Sequence, residues 1–462
     1  MLREEESKSE SGREQAAMEE IYFVDTTIRD GQMSLWATNM KTEMMFPILS
    51  QLDEAGFKAI EVFATAFFKK CVSELREDPW ERFRLISKHI TKTPLRMITG
   101  LRSGLQTFPP SVFELLLERL AAHGIRQVRL SDPANNMSSL SQAVRISRKA
   151  GLEPTANIIF SVSPKHTDEY YAQKAREAAS MDVMRLCLKD PGGLLTPERI
   201  RTLVPVLLQN GGGKLDEIHT HCTTGLGPLC VLEAIKLGIN LVDTAIPPLA
   251  DASSLPSVLN VARNARTLGY RPMINEEPIR RVAEHFMSVA KEANLSMGAP
   301  VEYDVAYYSH QMPGGMISNL RHQLTKQGNI EKLDEVLEET ARVRADLGYP
   351  IMVTPYSQYV GTHASMNVIL GERYKQVSDE IIKYALGFYG EEEASSIDPN
   401  VRDKILDRPR AKQLAGSKPS EPSMDELRKK WGGTGISDDE VLLRYFAGEQ
   451  EVAAMRAAAP RH

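Results

Sequence analysis

Short apolar runs alternate with longer stretches whose apolar residues recur three and four positions apart, from Ile21 to Ile246. The runs are Ile21-Tyr-Phe-Val-Asp25, Ala59-Ile-Glu-Val-Phe63, Arg96-Met-Ile-Thr-Gly100, Gln127-Val-Arg-Leu-Ser-Asp132, Ala156-Asn-Ile-Ile-Phe160, Val183-Met-Arg-Leu-Cys-Leu188, Leu215-Asp-Glu-Ile-His-Thr-His221 and Leu241-Val-Asp-Thr-Ala-Ile246. Each has the length and composition of a strand. The stretches between them, such as Ser111 to His123 and Thr196 to Leu208, have the helical period that packs on the outside of a parallel sheet. Eight such units predict an α/β fold, a (β/α)8 TIM barrel over residues 20–274. From Glu276 the pattern is mainly helical, with amphipathic stretches at Pro278 to Ala293, Leu333 to Leu347 and Gln376 to Gly387. This predicts a helical C-terminal domain over residues 275–406. Residues 407–462 are expected to be a polar linker from Asp407 to Pro422, short helices at Met424 to Trp431 and Asp438 to Phe446, and an Ala-rich tail. The charged, Glu-rich residues 1–19 are expected to be disordered.

In such a barrel the chemistry sits at the carboxyl ends of the strands, and four residues able to hold one metal ion fall there: Asp30, Lys189, His219 and His221. Side chains alternate along a strand, so the two histidines, two positions apart, direct their rings to the same side. His-x-His alone is also what two ordinary hydrogen-bonding histidines look like. The shared placement of all four residues at strand ends is the stronger argument. Lys189 has an ordinary alternative too, an ion pair with Asp190 or Glu217.

Composition narrows the class. The chain has 462 residues, 56 Lys+Arg against 61 Asp+Glu, and a formal net charge of −5. This mildly acidic balance gives no electrostatic reason to expect a nucleic acid partner. No apolar segment is long enough to cross a bilayer and the first twenty residues lack the apolar core of a signal peptide, so a cytoplasmic location is expected, without membrane insertion. Cys71, Cys187, Cys222 and Cys230 form no Cys-x-x-Cys pair and are expected to be buried structural thiols.

The wording of these segments resembles the carboxyltransferase subunits of biotin-dependent carboxylases and decarboxylases: oxaloacetate decarboxylase alpha, pyruvate carboxylase and transcarboxylase. The resemblance runs through Arg29-Asp30 with Ser34-Leu-Trp-Ala-Thr38, Glu77-Asp-Pro-Trp-Glu-Arg82, Leu188-Lys-Asp190 with Gly193-Leu-Leu-Thr-Pro197, and His219-Thr-His221 with Thr224-Gly225. In the second domain it covers His310-Gln-Met-Pro-Gly-Gly-Met316, Ser318-Asn-Leu-Arg321, and Val353-Thr-Pro-Tyr-Ser-Gln358 with Val360-Gly-Thr362. Broader relatives are metal-dependent aldol and Claisen enzymes of the HMG-CoA-lyase type, whose first strand reads much like Asp25-Thr-Thr-Ile-Arg-Asp-Gly31. The resemblance implies that Asp30, His219 and His221 ligate a divalent ion, with Lys189 as a carbamate in fourth place. A lysine ammonium has no lone pair to offer, and reaction of the neutral amine with CO2 creates an anionic oxygen. Mixed imidazole and oxygen ligation suits Zn, Mn or Co. The resemblance further implies carboxybiotin as donor and a hydroxyl as proton shuttle. Ser253 holds the position where relatives have threonine, although a serine there could also be a helix N-cap.

Departures from the family pattern cluster where pyruvate is expected to bind. Met33 replaces a substrate-binding glutamine beside Gln32. Gly100 is read at the place of a carboxylate-binding arginine, with the nearest arginine moved to Arg102, and Ile159-Phe160 replaces a Cys-Tyr pair. Glu61 is retained, followed by Ala64 and Thr65 in place of the usual glycines. A displaced arginine weakens recognition of a small keto acid. The expected function is therefore carboxyl transfer between carboxybiotin and a small-molecule carbonyl acceptor other than simple pyruvate. The chain lacks the Met-Lys-Met turn of a biotinyl domain, so biotin is expected on a separate carrier protein. Partners would be that carrier and a biotin carboxylase, around a homo-oligomer of this chain. A biotin-independent, metal-dependent aldolase, lyase or decarboxylase, and a structural subunit of a carboxylase complex, remain alternatives.

Overall fold

The computed structural model describes residues 18–103, 106–326, 328–416 and 422–458. All but the last two residues of the segment expected to be disordered lie outside the described residues. Eight parallel strands form the barrel: β1 Glu20–Asp25, β2 Ala59–Ala64, β3 Leu95–Thr99, β4 Gln127–Leu130, β5 Glu153–Ile159, β6 Arg185–Asp190, β7 Leu215–Thr220 and β8 Leu241–Thr244. Closure comes from β8 pairing back onto β1, from Tyr22 opposite Leu241 to Asp25 opposite Thr244. The strands are covered on both faces, which is why they read as nearly continuous apolar runs. The two expected helices form at Pro110–Ala122 and Pro197–Asn210. Thr196 sits just outside the second as its N-cap, its hydroxyl accepting from Arg199 N at 3.1 Å, and Pro197 supplies the first turn.

The barrel floor is ionic. Glu61 of β2, Arg96 of β3, Arg129 of β4, Glu217 of β7 and Asp243 of β8 are all buried and mutually paired, including Arg96 to Glu217 at 2.9 Å and Arg129 to Glu61 at 3.2 Å. Buried charges are tolerated only when paired and hydrogen-bonded, and arginines alternate here with carboxylates. Cys187, Glu217 and Asp243 also bring ligand-type atoms together. The two guanidiniums paired to Glu217 and Asp243 make that cluster part of the ionic floor, unsuited to a cation.

The apolar cores divide the chain differently from the expected boundaries. Helix Glu276–Glu292, expected to open the second domain, packs Ile279, Val282 and Phe286 into the barrel's core cluster. The C-terminal helices Asp438–Ala447 and Glu449–Ala458 join the same cluster through Val441, Leu442, Phe446, Val452 and Met455, with the Phe446 ring stacked on Phe68 at 4.8 Å. The expected Ala-rich tail is thus largely a packed helix. A second core forms around Val336, Val343, Tyr356, Val360, Ile381 and Ile405. Helix Pro409–Gly416, in what reads as a linker, adds Ala411 and Leu414 to it. All four cysteines are buried and unpaired. No helix among the described residues is long and apolar enough to cross a membrane.

Candidate active site

Asp30 is carried by a wide helical turn, Thr27–Gly31, immediately after β1, in which the Thr26 carbonyl accepts from the backbone N–H groups of Arg29, Asp30 and Gly31. Such widened turns interrupt the regular helical repeat and recur at functional sites. His219 lies on β7 and His221 one residue beyond its end. Their Nε2 atoms are 3.2 Å apart, and Asp30 Oδ2 is 3.2 Å from that of His219 and 3.6 Å from that of His221. The three donors therefore converge closely enough for one ion to meet all of them.

The far side of each ring is also fixed. His219 Nδ1 lies 2.6 Å from Asp243 Oδ2, and His221 Nδ1 lies 2.7 Å from the Ser253 carbonyl oxygen. His219 Nδ1 also lies 2.8 Å from Arg129 Nη1; with the Nδ1 protons directed to Asp243 and to the Ser253 carbonyl, both Nε2 lone pairs face Asp30, the arrangement metal-ligating histidines require. Burial holds the His219 imidazole neutral, well below its ordinary pKa. Burial alone would raise the Asp30 carboxyl, but Arg29 at 2.6 Å and then the two histidines hold it well below its ordinary value, as a carboxylate. The donor set fits a divalent cation.

Lys189, near the end of β6, is buried and lines the same cavity. The ordinary alternative, an ion pair with Asp190 or Glu217, is not formed. Asp190 instead accepts from Leu194 N, Leu195 N and the Thr220 hydroxyl at 2.9, 2.8 and 2.9 Å, and Glu217 pairs with Arg96 and Arg129. Lys189 Nζ has no hydrogen bond or ion pair among the described residues. Burial, then the Arg29 guanidinium, bring its pKa down to about 8, so a useful fraction of the amine is neutral near physiological pH. Gly193, at φ +64°, lets the loop after β6 pass the His221 carbonyl, because a Cβ there would lie 2.8 Å from that oxygen.

The cavity has a volume of about 420 Å³ and opens between the barrel mouth and the helical domain, which contributes Pro313, Met316, Met352, Val353 and Thr354. Of the sequence candidates, Asp30, Met33, Arg102, Ile159, Lys189, His221 and Ser253 line it. Gln32 does not. Its side chain is fully buried beneath the turn, its carbonyl oxygen accepting from Met40 N at 3.3 Å. Glu61 belongs to the ionic floor. Gly100 is off the cavity as well: a Cβ on it would lie 2.3 Å from the Ser131 carbonyl oxygen, so no arginine fits there. Thr99, one position earlier and the last residue of β3, lines the cavity, as does Ile98. Arg102 is committed elsewhere, to Asp132 at 2.7 Å and to the Tyr389 carbonyl and Tyr356 hydroxyl of the helical domain.

Ser253 follows two residues in the left-handed region, Asp251 and Ala252, at φ +66° and +52°. This strained loop presents the Ser253 carbonyl to His221 and its hydroxyl to the cavity, where Oγ donates to the Ser34 carbonyl at 3.1 Å. The following helix, Val258–Thr267, starts after Ser257, so neither Ser253 nor Ser254 serves as its N-cap. Ala64 and Thr65, read from the sequence as changes beside Glu61, do line the cavity, whereas sequence reasoning missed Asp243, Arg129 and Thr99. Asp243 and Arg129 were visible only as single charges inside apolar runs.

Comparison with known proteins agrees with this geometry. The family model described as HMGL-like matches residues 20–286, and the one described as conserved carboxylase domain matches residues 307–452. A pyruvate carboxylase subunit of Methanocaldococcus jannaschii is 36% identical over 433 residues, covering 92% of this chain and 76% of that protein. The 2-oxoglutarate carboxylase large subunit of Hydrogenobacter thermophilus is 32% identical over 433 residues, covering 92% and 66%. The carboxyl transferase domain of Rhizobium etli pyruvate carboxylase, solved with pyruvate, superimposes with a TM-score of 0.85 at 25% identity, covering 96% of this chain and 77% of that one. With both halves matched in order over nearly the whole chain, this protein belongs to the carboxyltransferase family of the biotin-dependent carboxylases.

Proposed function

We propose that the chain transfers a carboxyl group between carboxybiotin and a carbonyl acceptor other than simple pyruvate, at the cavity between barrel and helical domain. The observation that carries this reading is an intact set of convergent donors, Asp30, His219 and His221, beside a wall formed by Met33, on the short helix Gln32–Leu35 after β1, with Thr99 and Ile159 at the ends of β3 and β5. Loss of function would not be expected to spare the ligands while changing the wall.

Asp30, His219 and His221 would hold a divalent ion, Zn, Mn or Co, with Lys189 as its carbamate in the fourth position. The ion when bound supplies Lewis acidity toward the acceptor carbonyl. Lys189, unpaired and with a lowered pKa, is suited to add CO2 and release a proton. Asp243 and the Ser253 carbonyl keep the histidine lone pairs aimed inward. The Ser253 hydroxyl, within the cavity, can take the proton that leaves the acceptor carbon and return one to the biotin nitrogen. The helical domain closes one side of the cavity and limits water there.

Biotin would arrive on a carrier charged by a biotin carboxylase, a reading supported by relatives named as subunits of carboxylases. The test is to assay the purified chain alone and again with biotinylated carrier, biotin carboxylase, ATP and bicarbonate. Turnover is expected only in the complete mixture and should be abolished by avidin. Full, avidin-insensitive turnover by the chain alone would overturn the reading in favour of a biotin-independent lyase or aldolase.

A further inference from the structure

Where the cavity meets the ends of β2 and β3, its wall is a pair of hydroxyls. Thr65 and Thr99 are both buried, with their Oγ1 atoms 2.7 Å apart. In such a pair one O–H donates to the other oxygen, and the second O–H remains free to donate into the cavity. Ser131, on the same wall, already accepts from the Asn157 amide. The hydroxyl wall thus offers a neutral donor and no positive charge.

The cavity's guanidiniums do not make good that lack. Arg29 is paired with Asp30 at 2.6 Å and with Glu61. Arg102 is paired with Asp132 at 2.7 and 3.0 Å through two of its nitrogens, and its third reaches the helical domain. Lys189 becomes an anionic ligand in the carboxyltransferase reading, on which this inference rests. At this wall a carboxylate would be desolvated without a free guanidinium to clamp it, whereas a carbonyl oxygen would accept the spare hydroxyl proton. The surrounding wall, Met33, Ile98, Ile159, Met316 and Met352, is aliphatic.

We infer that the acceptor is an uncharged carbonyl compound with an aliphatic body, such as a ketone or an acyl amide, and that Thr65 and Thr99 are its specificity-determining contacts in place of a carboxylate clamp. In the transfer, the nitrogen–carbon bond of carboxybiotin breaks and a carbon–carbon bond forms at the carbon beside the acceptor carbonyl. The hydrogen on that carbon leaves as a proton and ends on the biotin nitrogen.

The test uses the full chain with a biotinylated carrier carrying labelled carboxybiotin, and acceptors offered in matched pairs: a 2-oxo acid and the ketone or amide of the same carbon skeleton. Labelled product is measured for each. The neutral member should be favoured by at least about tenfold in kcat/KM. Thr99→Arg should shift the preference toward the acid, and Thr99→Val should raise KM for the neutral member more than it lowers kcat. Preference of the unmodified protein for the acid members, with discharge of carboxybiotin intact, would overturn this inference alone. If neither Thr99 variant alters the ratio between pair members, the hydroxyl pair is not the specificity contact. Failure to discharge carboxybiotin to any acceptor would overturn the carboxyltransferase reading as well.

Discussion

Asp243 Oδ2 lies 2.6 Å from His219 Nδ1, so a carboxylate at the end of β8 holds the imidazole of β7 from behind. The same carboxylate is paired with Arg96 and Arg129, which ties the orientation of a candidate metal ligand to the ionic floor of the barrel. Asp243→Asn should weaken binding of Co2+ or Zn2+ by roughly 10–100-fold, the usual cost of losing a histidine's outer partner. Titration of metal-stripped protein, followed by cobalt absorption, reads this directly. Unchanged affinity would mean that Arg129, 2.8 Å from the same Nδ1, determines the ring's state instead.

If Lys189 is the fourth ligand as proposed, Lys189→Ala should lower metal affinity by more than the change at Asp243, leaving only Asp30, His219 and His221. Lys189→Arg should not restore it, since a guanidinium stays charged and forms no carbamate. Bicarbonate should tighten metal binding to the unmodified protein and have no effect on either variant. Metal content equal to the unmodified protein in Lys189→Ala would remove this residue from the ligand set.

The barrel was legible because its signal is periodic: strands covered on both faces give apolar runs, and the helices between them keep one apolar stripe. The candidate ligands could be picked out because strand ends are where such a fold gathers chemistry, and the fold brings Asp30, His219 and His221 together there. Three things escaped. Arg96, Arg129 and Asp243 interrupt apolar runs at inward positions, and only the closed barrel brings them together to cancel one another. The packing of Phe446 on Phe68 joins segments far apart in sequence, and nothing local to either announces it. Gly100 takes, on sequence alone, the place that Thr99 occupies in the structure, and that one-residue error exchanges a wall residue for one facing backbone.

Gly100→Ala gives that register a direct check. Its Cβ would meet the Ser131 carbonyl oxygen at 2.3 Å, a contact with backbone that no rotamer can relieve. A loss of about 1–3 kcal/mol is expected, as for other overpacked positions, read as a lower denaturant midpoint with unchanged slope. Thr99→Ala, facing the cavity, should leave the midpoint nearly unchanged. Equal stability of Gly100→Ala and the unmodified protein would mean that this loop relaxes freely.

The last helices are fastened to the barrel by charge as well as by Phe446. Asp439, in the first turn of Asp438–Ala447, accepts from Arg119 Nε at 2.7 Å and lies 2.9 Å from His123 Nε2, both on the barrel side. Burial alone would raise its carboxyl, but hydrogen bonds from His123 and Arg119 lower it to about 2. A carboxyl whose pKa is lower in the folded state stabilises that state above its ordinary pKa near 3.8 and loses this contribution as pH falls toward 2. At this partly exposed position the contribution is on the order of 1–2 kcal/mol after solvent screening. Asp439→Asn should therefore be less stable than the unmodified protein at pH 7, and the difference should shrink as pH falls from 4 to 2. Chemical denaturation across that range measures it, and proteolysis at pH 7 should find the segment after Ser437 more readily cleaved in the variant. A stability difference that stays constant down to pH 2 would show that the carboxylate's charge is not what fastens this helix.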